Sequence, residues 1–361
     1  MAVADEYLIK GTTMTTIADA IRTKSGSTGE LSCPTGMVTA INSIKEPYPN
    51  GTKWTKSAAT TAVSFADVCY GNGIWVAASS GNKSLFWSTD GKNWTSAGLT
   101  IPFAVVAYAD GLWLAGSYGN GIYYSEDGKT WTQSSLTTNN CILLYKSGTY
   151  WIAGLADNGI YYSNSPKTKW SKSTALTSST IFSVYCADGI WVTASGAQGL
   201  WYSTDGYTWS SGTVSGGSWW DVYFADGLWI ACGNAGIYRS TNGRVWVASN
   251  ITSACSCVCR NNGIWVAGGN SGNGLYYSSD GTTWTASNIT TGSFNYLYYS
   301  NGVWIACGKS SSNGLYYSTD GQTWTQCTEV TMAVNKVCNE NGIWVAAGGL
   351  KSLYYSITWE P

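Results

Sequence analysis

The sequence predicts an all-β chain: an eight-bladed β-propeller of four-stranded antiparallel blades, closed by an N-terminal strand and preceded by a small α-helical segment. Three observations carry this reading. Two tryptophan registers recur about every 38 residues, a tight-turn pair marks nearly every unit, and the last unit stops half-finished. Repetition at such a period decides the fold before any site is argued.

Trp75, Trp113, Trp151, Trp191, Trp229, Trp265, Trp304 and Trp344 form the first register, following a Gly-x pair with one extra residue in the third unit. The second is Trp54, Trp94, Trp131, Trp170, Trp209, Trp246, Trp284 and Trp324. Within the second unit, Phe103 to Tyr108 reads as an apolar strand, Asp110-Gly111 as a turn and Leu112 to Ala115 as the returning strand. Gly116 to Gly121 is a loop, Ile122 to Ser125 a third strand, Glu126 to Thr130 a turn, and Trp131 opens a fourth strand. Asp-Gly and Asn-Gly are hairpin signals because a type I′ turn needs positive φ at both central residues. The pair recurs at Asn72, Asp188, Asp226, Asn262, Asn301 and Asn341; the third unit departs, with Ser147-Gly148. The eighth unit ends after Leu353-Tyr-Tyr-Ser356, and its missing outer strand stands at the other end of the array as Asn50 to Thr55. An N-terminal strand finishing the C-terminal blade closes a ring without free edges.

Composition narrows the function classes. Charged residues are 11% of the chain and the net charge is −1, so no basic field exists for nucleic acid. No run of about 18 apolar residues predicts a membrane span. Met1 to Lys10 carries two acids and no apolar core, so no secretory signal is expected. Histidine is absent, which removes His-based triads and general bases. Eleven cysteines, several standing in for small residues, read as reduced and buried. Cys255, Cys257 and Cys259 alternate on one expected strand and so share a face, but with no histidine and no second cluster no metal is assigned.

The second turn carries a motif, Ser88-Thr-Asp90-Gly91-x-x-Trp94, repeated at Ser125/Asp127, Ser203/Asp205, Ser278/Asp280 and Ser318/Asp320, softened at Ser240/Asn242 and lost at Ser163 to Trp170. Across roughly residues 50 to 361 this resembles the Asp-box (BNR) repeats of sialidase-type propellers, with a turn one residue shorter. The resemblance implies that the box is structural, on the blade periphery and away from the binding face. Sialidases hold their substrate with three arginines. The four here, Arg22, Arg239, Arg244 and Arg260, fall where they cannot converge, so a sialidase is not expected.

Residues 1–49 do not share the repeat and are read as a separate helical attachment segment ahead of the propeller at 50–361. Met14, Ile17, Ala18 and Ile21, then Met37, Ala40, Ile41 and Ile44, follow helical spacing around a Lys24 to Gly29 loop. Two short helices cannot make a core alone. The string from Tyr7 to Arg22, then Leu31 to Ile44, looks like a helical module near the start of tail and baseplate proteins of phages that infect Gram-positive gut bacteria. The resemblance implies docking to other virion tail or baseplate proteins, with the protein made in the bacterial cytoplasm and carried on the virion.

Candidate binding residues lie on the face opposite the tight hairpins and boxes, where the connecting loops differ in every unit. Trp219, Trp220, Phe294 and Tyr296 add aromatic surface there, with Trp219 expected in the core and Trp220 exposed. Asp67 and Asp221 stand eight residues before their Gly-x-Trp tryptophan in opposed units. Their separation across a ring is expected to exceed that of a glycosidase pair, about 6.5–9.5 Å when inverting. The residues assigned to ligand binding are Trp220, Asp221, Asn295, Tyr296, Tyr118 and Asp67, with no catalytic residue, cofactor or metal. The expected function is a non-enzymatic phage tail or baseplate protein whose loop face binds a host-surface glycan or protein. A glycoside-processing enzyme with a channel carboxylate site, or a free lectin-like bacterial protein, are the alternatives.

Overall fold

The computed structural model describes residues 51–57, 63–81, 84–310, 312–349 and 352–357. The expected helices of residues 1–49 lie outside them, as does Trp359. The described residues form eight four-stranded antiparallel sheets. Their first strands are Phe65–Gly71, Phe103–Ala109, Cys141–Ser147, Ile181–Ala187, Trp219–Ala225, Cys255–Asn261, Phe294–Ser300 and Val334–Glu340. Each first strand packs on that of the next blade, and blade 8 returns to blade 1, so the circuit is closed and these strands surround its axis.

The hairpins form where the turn chemistry places them. Asp110 and Gly111 take φ of 51° and 78°, and the six other Asn-Gly or Asp-Gly pairs do the same. Blade 3 shifts by one residue: Ser147 ends the strand opposite Tyr150, and the turn is Gly148-Thr149 with Gly148 at φ 52°.

The described residues share no single core. Each apolar cluster is a slab shared by two neighbouring blades, such as Val76, Ala78 and Leu85 of blade 1 against Phe103, Val106 and Trp113 of blade 2. The two tryptophan registers meet at the second turn. In the box beginning at Ser125, the Gly128 and Asp127 N–H groups donate to Ser125 Oγ, while Asp127 Oδ1 accepts from Lys129 and Thr130 N–H. Trp131 Nε1 then donates to Gly128 O at 3.2 Å. Gly128, at φ +70°, lies so close to the other register that a Cβ would sit 3.1 Å from Trp113 Nε1. Blade 3, whose box is lost, keeps the indole bond, from Trp170 to Pro166 O, and the bond from Ser165 N–H to Ser163 Oγ.

The eighth box is split between the two ends of the propeller. Gly51 N–H donates to Ser356 Oγ at 3.0 Å, as Gly91 N–H does to Ser88 Oγ at 2.9 Å within one chain segment. Trp54 Nε1 donates to Gly51 O, and Thr55–Lys56 pairs with Tyr354 and Tyr355 as the fourth strand of blade 8.

The outer rim is tied from blade to blade as well. In three blades the residue after the box glycine reaches the third-strand aromatic of the preceding blade, Lys92 over Tyr355, Lys129 over Trp87 and Arg244 over Tyr202, and in blade 3 Lys167, after Pro166, lies over Tyr124. In blade 4 Tyr207 takes this place against Tyr162, their ring centroids 5.3 Å apart.

Candidate functional site

Every first strand carries a β-bulge at the same place. In blade 1 Phe65 pairs with Ser79 and Asp67 with Ala78, so Ala66 is the inserted residue, and the shift recurs in all eight blades. A bulge re-aims a side chain and breaks period-two alternation. All eight inserted residues line one cavity of about 590 Å³ at the axis. They divide by chemistry around the ring. Blades 1 to 3 supply Ala66, Ala104 and Ile142, blades 4 and 5 supply Phe182 and Trp220, and blades 6 to 8 supply Ser256, Asn295 and Asn335. Because each follows the loop entering its blade, the mouth opens on the loop-rich face.

Directly after the inserted residue comes a second ring that includes Asp67, Ser183, Asp221, Tyr296 and Lys336. Asp67 is 2% exposed. Its Oδ1 accepts from Val68 N–H at 2.8 Å and its Oδ2 from Val106 N–H of blade 2 at 3.0 Å, while Lys336 Nζ lies 3.3 Å from Oδ1. Asp221 repeats the arrangement: Val222 N–H and Ser183 Oγ–H donate to Oδ1, and Val258 N–H of blade 6 donates to Oδ2, each at 2.9 Å. Both carboxylates therefore tie a bulge to the neighbouring blade. Among the described residues no cation contacts Asp221, and burial pushes its carboxyl up to about 6 against the pull of those hydrogen bonds. Burial alone would lower the Lys336 ammonium, but Asp67 reverses this and holds it above its ordinary value. Lys336 Nζ also sits 5.1 Å from the Tyr296 ring centroid, and Lys309 Nζ 6.0 Å from that of Trp220. Burial raises the Tyr296 phenol and pushes the Cys69 thiol up to about 12, so neither is a ready nucleophile. A second cavity of about 370 Å³ follows the axis beyond the first. It shares Ser183, Asp221, Tyr296 and Tyr298 with the first and adds Tyr145, Tyr185 and Tyr223.

Five of the six assigned residues meet here: Trp220, Asp221, Asn295, Tyr296 and Asp67. Tyr118 does not; it is 40% exposed on the loop between the second and third strands of blade 2. Trp219 is buried, as its place in the repeat implies, but Trp220 is half-buried rather than exposed. Phe294 is a core residue and adds no surface, because it precedes the bulge and faces an inter-blade slab. The same bulge corrects the cysteine strand: Cys255 packs toward blade 5, whereas Cys257 and Cys259 pack toward blade 7, so the three share no face. Arg260 is paired with Asp226, and no arginine lines the cavity among the described residues. Sequence reasoning missed Phe182, Asn335 and Lys336. Lys336 had a signal, since it stands eight residues before Trp344 just as Asp67 does before Trp75.

Fold and site together define the class, a closed eight-bladed β-propeller with an axial cavity at its loop-rich end. No family model and no curated protein matches the chain. Solved structures similar to it include the computationally designed Ika8 protein, at TM-score 0.68 and 10% identity over 84% of this chain and 100% of that one. Sqt1 of Saccharomyces cerevisiae is similar at TM-score 0.64 and 9% identity, over 85% and 100%. YCF48 bound to D1 peptide is similar at TM-score 0.58 and 15% identity, over 87% and 96%. Identities this low carry the fold alone.

Proposed function

We propose that this protein is a non-enzymatic adhesin of a phage tail or baseplate, held to other virion proteins through residues 1–49 and engaging a host-surface glycan or protein with the loop-rich end of its propeller. The observation that carries the binding half is the inserted-residue ring. Eight copies of one structural position hold apolar, aromatic, and hydroxyl or amide side chains in three successive arcs around a cavity. Such divergence within an otherwise repeated scaffold is the pattern of a recognition surface. The non-enzymatic half is supported by Asp67 and Asp221, whose oxygens are engaged by backbone N–H groups and which therefore serve as ties between blades. The attachment half rests on the resemblance of Tyr7 to Arg22 and Leu31 to Ile44 to phage tail modules. YCF48, similar in fold, is solved with a peptide, which keeps a protein receptor within this reading.

The test is adsorption of the purified, fluorescently labelled full chain to a panel of Gram-positive gut bacteria. Saturable binding to particular strains is expected, with loss in Trp220→Ala and none in a variant of the box face such as Lys129→Ala. Uniform absence of binding, or binding indifferent to Trp220, would refute it. Immunogold labelling of tail tips tests the virion half independently.

A further inference from the structure

Resting on that binding reading, we infer that the mouth of the axial cavity is a subsite for an uncharged terminal pyranose. Its ring stacks on Phe182 and Trp220, and its hydroxyls bond to Asn295 and Asn335. The two aromatic residues are adjacent inserted residues of blades 4 and 5, and Phe182 is 41% exposed. In the adjoining blades 6 to 8 the inserted residues are a hydroxyl and two amides, Asn335 of blade 8 standing across the ring from Phe182 of blade 4. Asn295 Oδ1 is buried without a hydrogen-bond partner among the described residues, whereas Asn335 Nδ2 already donates to Phe65 O at 2.7 Å. A pyranose has an apolar C–H face bordered by a hydroxyl edge, and this mouth offers an aromatic arc on blades 4 and 5 bordered by a hydroxyl and amide arc on blades 6 to 8. A buried acceptor without a partner costs free energy until a ligand hydroxyl fills it.

Charge selects the uncharged member of the class. Asp67 is neutralised by Lys336, and Asp221 stands in the cavity with no arginine beside it, so an anionic sugar would face a carboxylate. A cationic sugar would meet the like charges of Lys309, whose Nζ lies 6.0 Å from the Trp220 ring centroid, and Lys336, 5.1 Å from that of Tyr296. Enclosure by eight strands admits a chain end rather than a segment passing through.

The full chain is titrated by isothermal calorimetry and saturation-transfer NMR with the methyl pyranosides of glucose, galactose, mannose, N-acetylglucosamine and N-acetylgalactosamine. Methyl glucuronide and methyl glucosaminide are the anionic and cationic controls. At least one neutral glycoside binds, more tightly than either control. Phe182→Ala weakens it about tenfold, the loss of one stacking contact. Asn295→Ala weakens it comparably, and Phe182→Tyr restores it. Phe182 is exposed, so its variants fold even where Trp220→Ala does not. The inference falls if no neutral glycoside binds, if a charged control binds more tightly, or if binding survives both alanine variants. Adsorption to cells with every glycoside silent removes the sugar class while the adhesin reading stands; a peptide or protein receptor then takes its place.

Discussion

Trp54→Ala should open the ring while leaving seven blades intact, an outcome that the same change at Trp94 should not give. Both indoles are buried and both donate to the carbonyl of their box glycine. Truncating either costs about 3–5 kcal/mol in lost burial and cavity formation. The difference lies in what remains. The segment Gly51–Ser57 is held to blade 8 by two ladder pairs, by Gly51 N–H on Ser356 Oγ and by Ser57 N–H on Leu353 O. At about 1 kcal/mol net for each hydrogen bond, these contribute roughly 4 kcal/mol. Fixing seven backbone residues costs roughly 7–14 kcal/mol. Without the indole, and its edge-to-face contact with Trp344 at 6.5 Å, the segment cannot stay docked. Around Trp94 the chain runs unbroken from the third strand of blade 1 into blade 2, so ordering the segment costs less. Hydrogen-exchange mass spectrometry under native conditions separates the cases. In Trp54→Ala, peptides covering 51–57 and 352–357 should lose protection while blades 2 to 6 keep theirs. In Trp94→Ala the thermal midpoint should drop with no selective loss at the closure. Full protection of 352–357 in Trp54→Ala would refute the reasoning.

Three further outcomes follow from the same geometry. Asp127→Asn should be nearly neutral and Asp127→Ala should cost about 1 kcal/mol, as for loss of a capping side chain, because Asn242 already accepts from Arg244 and Val245 N–H in its own box; urea unfolding reads the difference. For Asp221, whose folded value near 6 lies above its ordinary 3.8, the folded chain binds more protons than the unfolded one between about pH 4 and 6, so this group lowers stability as pH rises through that window; Asp221→Asn should flatten the slope of urea midpoints there, and an unchanged slope would count against the buried carboxyl. Gly159→Ala places a Cβ 1.7 Å from Leu176 O at a φ of +77°, so it should destabilise by several kcal/mol, whereas Gly189→Ala, with open space around it, should cost only the backbone strain of about 1 kcal/mol; thermal melts of the pair test this.

The parts of this fold that were legible are those in which a local rule repeats. Asn-Gly and Asp-Gly dictate their own turn, a tryptophan at fixed period can only be architecture, and a half-unit at each end has one way to pair. Asp67 and Asp221 were correctly placed on the axis by counting back from the tryptophan, but their roles were hidden, because each carboxylate binds an N–H some 37–39 residues away. The bulge was invisible for another reason. It inserts a residue without changing the spacing between landmarks, so alternation counted straight through Cys255, Cys257 and Cys259, or through Phe294 and Tyr296, assigns the wrong faces beyond it. Counting eight residues back from every Gly-x-Trp tryptophan, rather than from two, finds Ser183, Tyr296 and Lys336 as well.

The bulge also explains why a molecule made of near-copies can hold one asymmetric site. Two residues beyond the inserted position every blade has a branched aliphatic: Val68, Val106, Leu144, Val184, Val222, Val258, Leu297 and Val337. Those side chains sit in slabs between blades, where a change of one methylene is felt on both sides. The inserted residues have no partner across the hairpin and belong to no slab, so Ala66 and Trp220 occupy the same backbone position. Packing cost forbids divergence at the first position and permits it at the second, two residues away on the same strand. Recognition chemistry therefore concentrates where the strand gives up a cross-strand pair, and substitutions at Phe182 or Asn295 should change what is bound far more than how stably the ring is closed.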